Sequence, residues 1–223
     1  MKAKIAEIFR SIQGEGIYQG IEQVFVRFFG CNLNCKFCDT KLSFYRELNI
    51  EQILKEIEIF KDRFHSVSLT GGEPLLQADF LKIFLQELKK RNIITYLETN
   101  GTLYNEFKKV LDYIDIVAMD FKLPSSTGLN DFYLEHTKFL KIGLAKDIFV
   151  KIVITKSTQL IDFKRTAEIL LKFKKNIPLV LQPNYFEQDE ILKEKVEFFQ
   201  NFCQEYFSDV RIIPQLHKIL GVR

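Results

Sequence analysis

The sequence predicts an α/β fold, a partial, open TIM-like barrel of mostly parallel strands with helices outside. Three observations point to it. Strand-like and helix-like patterns alternate through most of the chain, which implies right-handed crossovers and a parallel sheet. The strand-like runs are continuously apolar, the pattern of strands covered on both faces. The 223-residue length falls short of the roughly 250 residues typical of a closed eightfold barrel.

The elements follow in order. Glu7-Ile8-Phe9-Arg10-Ser11-Ile12-Gln13-Gly14-Glu15-Gly16 reads as a glycine-interrupted polar turn set between apolar stretches. Strands are expected at 24–29, 67–69, 93–97, 116–119, 148–154, 179–181 and 210–213, where β-branched and aromatic residues gather. Ile50, Ile53, Leu54, Ile57, Phe60 and Phe64 share one helical face, as do Phe80, Leu81, Phe84, Leu85 and Leu88. Further helices are expected at 104–113, 160–174 and 191–206. No linker, repeat or low-complexity tract interrupts them, so 1–223 is expected to form a single domain.

Composition narrows the function classes. With 47% hydrophobic residues the chain can build a substantial core, and 32 Lys+Arg against 29 Asp+Glu leave a net charge of +3. That balance argues against disorder and against a basic nucleic-acid surface. No apolar run approaches the roughly 20 residues that span a bilayer, and the first residues lack a signal core, so a cytoplasmic protein without a membrane partner is expected.

Three of the four cysteines, Cys31, Cys35 and Cys38, fall in one loop directly after the 24–29 strand. Their spacing can wrap one face of an iron-sulfur cluster and leave one iron without a protein ligand. Alternatives are a zinc site completed by Cys203, His65, His136 or His217, or three unligated thiols. Cys203 shares an apolar helical stripe with Leu192, Val196, Phe199 and Tyr206, which suits a buried structural thiol.

A second motif, Thr70-Gly71-Gly72-Glu73-Pro74, ends the next strand. Its glycines admit a ligand to the backbone, and Glu73 offers an acceptor for an ammonium group. Polar residues recur at later strand ends: Glu98-Thr99-Asn100-Gly101, Asp120-Phe121-Lys122-Leu123-Pro124-Ser125-Ser126, and Gln182-Pro183. Each also reads as turn or helix-cap chemistry. Gln13 and Glu15 could meet the guanidine-like edge of a pterin or purine, with Gly14 and Gly16 letting the backbone approach. Arg27 places a charge in an apolar strand, which is costly unless an anionic ligand or an internal Glu pairs it. Thr40 offers a hydroxyl to a hard cation.

The three-cysteine spacing, with Phe37 before the last cysteine, resembles the radical S-adenosylmethionine (SAM) superfamily. That resemblance implies a 4Fe-4S cluster on Cys31, Cys35 and Cys38, with the open iron chelated by SAM, which is cleaved to a 5'-deoxyadenosyl radical. With the stretch 11–16, Arg27, Thr70–Pro74, Asp120–Ser126 and the terminal Pro214-Gln215-Leu216-His217-Lys218, the chain is similar to the 7-carboxy-7-deazaguanine synthases from about residue 5 to its last residues. The likeness implies conversion of 6-carboxy-5,6,7,8-tetrahydropterin to 7-carboxy-7-deazaguanine and ammonia, with Mg2+ assisting. This is a step towards queuosine and related 7-deazapurines.

Carried over by residue, the resemblance gives Gln13, Gly14, Glu15, Arg27, Thr70 and His217 to the substrate, and Thr40 to Mg2+. Phe37, Cys38, Asp39, Gly72, Glu73, Asn100, Lys122, Pro124, Ser125 and Gln182 fall to SAM. No side chain is expected to act as catalyst itself, since the radical carries the chemistry. Flavodoxin or ferredoxin as electron donor and a homodimer are also implied. Two other readings stay open: an activating enzyme for glycyl-radical proteins, which binds a protein loop, and a non-catalytic metal or electron-transfer module.

Overall fold

The computed structural model describes residues 1–61, 63–173 and 176–222. They form a nine-stranded sheet of β1 (Ala3–Ile12), β2 (Glu22–Phe28), β3 (Arg46–Leu48), β4 (Ser66–Gly71), β5 (Ile94–Thr99), β6 (Ile116–Asp120), β7 (Asp147–Ile154), β8 (Leu179–Pro183) and β9 (Val210–Ile212). The spatial order is β3-β1-β2-β4-β5-β6-β7-β8-β9. Every pairing from β2 through β9 is parallel, while β1 pairs antiparallel with both β2 and β3. The sheet is open, as expected.

The crossovers carry α1 (Ile50–Glu58), α2 (Ala78–Lys90), α3 (Tyr104–Val110), α4 (Pro124–Thr127), α5 (Tyr133–Gly143), α6 (Leu160–Leu171) and α7 (Glu190–Gln204); α8 (Leu216–Leu220) follows the last strand. Asn49 caps α1 with a full capping box, its side chain accepting from Gln52 N at 2.9 Å while Gln52 Oε1 accepts from Asn49 N. The expected α1 face overreaches. The helix stops at Glu58, and Phe60 and Phe64 pack against the core from the irregular chain beyond it. The helix expected at 160–174 ends at Leu171, and Lys174 lies outside the described residues.

The two faces of the sheet differ in kind, which corrects the expectation of uniformly apolar strands. One face is apolar: Val24, Val26 and Phe28 of β2, Val67 and Leu69 of β4, Leu97 of β5, Val150 and Ile152 of β7 and Leu181 of β8 join Leu81, Phe84, Phe107, Phe139, Phe163 and Phe199 from the helices. The residues between them point into the barrel. Towards the strands' amino ends, Tyr96, Ile116, Ala118, Phe149 and Val180 make a second apolar cluster, sealed by Ile17, Tyr18 and Ile213. Polar side chains take over towards the carboxyl ends: Arg27, Thr70, Glu98, Asp120, Lys151 and Gln182. Even Ser66 and Ser68 of β4 are wholly buried on that side. Ligands of parallel α/β folds bind at this end.

Residues 7–12, read from sequence as part of a glycine-interrupted polar turn, belong instead to the ten-residue strand β1. Its half-exposed face interrupts the apolar run that marks the interior strands. A tight 3-10 turn at Gly16–Tyr18 then packs across the inner side of β7 and β8. Gly16 sits there with φ +67°, where a Cβ would lie 2.4 Å from the Phe149 ring. Cys203 is buried on α7, and burial alone pushes its thiol up to about 12. No described helix is long and apolar enough to cross a membrane.

Candidate active site

The cysteine loop leaves β2 at its carboxyl end and is pinned from three sides. Gly72 N donates to Phe28 O at 3.1 Å and Glu73 N to Gly30 O at 2.8 Å. Asn100 Nδ2 donates to Asn32 Oδ1 at 2.9 Å, Asn32 Nδ2 donates to Thr102 Oγ1 at 2.8 Å, and Lys36 N donates to Thr127 O at 2.9 Å. The glycines are needed sterically. A Cβ on Gly72 would lie 2.1 Å from Gly30 O and 3.0 Å from Cys31 Cβ.

Cys31 and Cys38 are exposed and Cys35 is half-buried, all three as free thiols. Among the described residues no three Cys, His, Asp or Glu side chains gather around a single ion. Three soft sulfur donors on one loop at the barrel mouth, backed by glycine main chain, fit one face of a cluster with an open position. Burial raises the Cys31 thiol and lifts Cys35 to about 11, so loading the cluster must release protons.

Glu73 is completely buried and does more than offer an acceptor. Its Oε1 accepts from Thr99 Oγ1 at 2.9 Å and Leu75 N at 3.1 Å, and its Oε2 from Asn100 N at 2.8 Å. The carboxylate thus ties the end of β4 to the end of β5 and fixes the Asn100 that braces the cysteine loop. Burial pushes it up to about 7 against the three donated hydrogen bonds.

The Gln13 to Glu15 turn is not a surface hairpin. Gln13 is 3% exposed, and its Nε2 donates to Gln23 Oε1 at 3.0 Å and Glu98 Oε1 at 2.8 Å, while its Oε1 accepts from Glu15 N at 3.1 Å. Both amide protons are thereby used inside the protein. The side chain builds the turn, and Gly14 and Glu15 are what it presents. The same Glu98 accepts from Thr70 Oγ1 at 2.6 Å and from Ser68 Oγ at 3.2 Å.

Glu15 and Asp39 share a partner: Gln215 Nε2 donates to Glu15 Oε1 at 2.6 Å and to Asp39 Oδ2 at 3.2 Å. Lys218 Nζ adds an ion pair to Asp39 at 3.2 Å. Leu216 N donates to Gly14 O at 2.8 Å, and His217 lies so close to Gly14 that a Cβ there would be 2.1 Å from the ring Nδ1. The terminal histidine is half-buried against the turn, and burial lowers its pKa. Two distant parts of the sequence make one wall.

Arg27 reaches the same mouth with its charge already paired, by Glu7 on β1 at 2.8 Å, its cross-strand neighbour. Lys122 pairs with Asp120 at 2.8 Å and lies 5.0 Å from the Phe37 ring centroid. Ser125 is engaged in joining α4 to α6: its Oγ accepts from Gln159 N at 2.9 Å and its N donates to Asp162 Oδ2. Pro124 opens α4. Gln182 is 3% exposed with Oε1 unpartnered, an acceptor held open at the end of β8. Thr40 donates to Asp39 Oδ1 at 3.1 Å.

The contacts join Gln13, Glu15 and Thr70 through Glu98 and Gly14 to His217, set Arg27 of β2 opposite Thr70 of β4, and join Glu73, Asn100 and Lys122 to the cysteine loop. Glu98, Asp120 and Gln215 stood within motifs quoted from the sequence without roles of their own, and nothing singled out Glu7, Gln23 and Lys151. A charge or amide alternating with apolar residues inside a strand was the available signal for Glu98 and Lys151, and it is the one that had singled out Arg27.

Comparisons with known proteins show the family of the chain. The radical SAM superfamily model matches residues 25–142, which hold the cysteine loop and the Gly-Gly-Glu-Pro turn. The 7-carboxy-7-deazaguanine synthase of Geobacter sulfurreducens is 34% identical over 98% of this chain and 97% of its own. That of Archaeoglobus fulgidus is 36% identical over the whole of both chains. Among solved structures, QueE from Escherichia coli superposes with a TM-score of 0.68 at 20% identity, covering 97% of this chain and 95% of that one, a likeness of fold. By sequence, fold and the cysteine loop together, the chain belongs to the 7-carboxy-7-deazaguanine synthase family of radical SAM enzymes.

Proposed function

We propose that this chain converts 6-carboxy-5,6,7,8-tetrahydropterin to 7-carboxy-7-deazaguanine with loss of ammonia, binding the pterin between the Gly14–Glu15 turn, Thr70, Arg27 and His217. The observation that carries the reading is the Gln215 bridge, which locks the turn bearing Glu15 to the cysteine loop bearing Asp39. A small ligand on Glu15 is thereby held beside whatever the loop carries.

Cys31, Cys35 and Cys38 would hold the 4Fe-4S cluster, and Phe37 to Asp39, Gly72, Asn100, Lys122, the Pro124–Ser125 stretch and Gln182 would hold SAM. Bound together, cluster and SAM supply a carbon-centred radical able to abstract hydrogen. The protein's own contributions are positional and electrostatic. Glu15, largely buried and held ionised chiefly by Lys151 against the cost of its desolvation, accepts from the N–H groups of the pterin's guanidine-like edge. Arg27 binds the substrate carboxylate, Thr70 approaches the ring with its hydroxyl oriented by Glu98, and His217 closes the wall. Gln13 sets the turn from beneath. Thr40, beside Asp39, would contribute an oxygen to Mg2+. Cys31 and Cys38 are exposed, so a cluster held by the loop would be accessible to flavodoxin or ferredoxin as electron donor.

Anaerobic turnover of the reconstituted protein with SAM, dithionite, Mg2+ and the carboxypterin, read by mass spectrometry, tests this reading. 7-Carboxy-7-deazaguanine and ammonia should form without stoichiometric loss of SAM. Cleavage of SAM with the pterin untouched would overturn the substrate assignment.

A further inference from the structure

We propose that Lys151, midway along β7, is a positioning residue that couples the pterin half of the site to the SAM half. The ammonium contacts Glu15 Oε2 on the N-terminal turn and Asp120 Oδ2 at 3.3 Å on β6. Lys122 pairs with the same Asp120 oxygen at 2.8 Å, which leaves Asp120 Oδ1 buried and without a partner. One cation thus joins the carboxylate offered to the pterin to the one that opens the Asp120–Ser126 stretch on the SAM side. This rests on the proposed substrate and deepens it, by naming what makes the two ligands' sites one unit.

The surroundings make the bridge consequential. The side chains of Lys151, Glu15 and Asp120 are 15%, 22% and 14% exposed, so each charge depends on its neighbours more than on water. The charged and titratable groups acting on the bridge include Glu98 and Tyr96 from β5, Asp120 from β6 and Lys122 just after it, Asp39 and Cys35 from the cysteine loop, His136 from α5 and His217 from α8. Of those acting on Glu15, Lys151 provides the largest stabilisation of its charge, opposing desolvation and the repulsion of Asp39. Without Lys151, burial and the Asp39 charge would raise the Glu15 carboxyl, and a protonated Glu15 loses its power to accept two hydrogen bonds from one ligand edge. A SAM group that engages the free Asp120 Oδ1 shifts the carboxylate's charge towards SAM and the ammonium's towards Glu15, strengthening the pterin site. The coupling must be reciprocal.

The test is calorimetric titration of the cluster-loaded protein with the carboxypterin, with and without SAM, between about pH 6 and pH 8.5, for the wild type, K151R, K151M and E15Q. The wild type should bind the pterin with little pH dependence, about tenfold more tightly when SAM is present. K151R should keep most of both properties. K151M should bind at least about tenfold more weakly at pH 7, weaken further as pH falls, and lose the SAM enhancement. E15Q removes the carboxylate that K151M would leave uncompensated, so it tests the bridge even if K151M does not fold; it should bind weakly, independently of pH and of SAM. Wild-type coupling retained in E15Q, or affinity and pH response unchanged in K151M, would overturn this proposal alone. A wild type that ignores the carboxypterin would remove the functional reading, and this proposal with it.

Discussion

His136 Nε2 lies 3.0 Å from the main-chain oxygen of Asn100, with the ring wholly buried on α5 and 4.2 Å from the Phe121 centroid. A nitrogen facing a carbonyl at that distance must donate, so the proton sits on Nε2. Nδ1 is left bare and has no partner. A neutral histidine thus fixes, from the helix side, the Asn100 that Glu73 fixes from the β4 side.

Burial lowers His136 to about 4 from the ordinary 6.5. Since the folded-state value is depressed, its contribution to stability is complete above 6.5 and is lost as pH falls through 4. At about 1.4 kcal/mol per unit the loss amounts to about 3 kcal/mol. Urea unfolding of the cluster-free protein at pH 7 and pH 4.5 should show it. His136→Gln should be less stable at pH 7 by about 1–2 kcal/mol but shallower in its pH response. Parallel pH responses in the two proteins would contradict the buried neutral histidine.

Gly14→Ala places a methyl group 2.1 Å from His217 Nδ1, and the helix carrying that ring must move. The KM for the carboxypterin should rise by about tenfold or more, as expected when a ligand wall is displaced by an ångström. Cluster content, read from iron and sulfide analysis, should stay unchanged. A fall in iron content would mean that α8 supports the cysteine loop first and the substrate second.

Gly72→Ala should do the reverse. Its methyl would meet Gly30 O at 2.1 Å, main chain against main chain, with no flexible side chain to yield. Reconstituted protein should carry less than about half the wild-type iron, because the loop that spaces the sulfurs is displaced. Cys31→Ala should abolish the intact cluster altogether, and a full 4Fe-4S absorption spectrum in that variant would show the three-thiolate assignment to be wrong.

Arg27→Ala should weaken carboxypterin binding by about 1.5–3 kcal/mol, the range of a charge-assisted hydrogen bond, read as KM or by calorimetry. Arg27→Lys should recover only part of it, since an ammonium on a flexible stem cannot form the guanidinium's two-pronged contact. Equal binding by wild type and Arg27→Ala would assign the residue to its Glu7 partner and nothing more.

Most of the sheet was legible in the sequence because its interior strands carry apolar residues wherever they face the helices. Val24, Val26 and Phe28 announce a strand whatever stands between them. β1 was missed for the opposite reason: Lys4, Glu7 and Arg10 break the run, and its pairing with β2 and β3 makes it a strand. α5 was missed because its buried stripe is narrow and includes His136 and Gly143, neither of which marks a helix by propensity. In the site, the cysteine loop and the Gly-Gly-Glu-Pro turn were readable because their chemistry is local. Glu98, Lys151 and Gln215 were not, because each acquires its role from partners 28 to 200 residues away.

The wall that joins Gly14 and Glu15 to Gln215 and His217 has a consequence for how the protein comes into being. Residues 25–142, with the cysteines, Glu73, Asn100 and Lys122, emerge from the ribosome as a continuous stretch. That wall closes only after residue 217 has been synthesised and has returned to meet a turn made some two hundred residues earlier. Each new molecule therefore passes through a stage in which the cluster loop exists without its substrate enclosure.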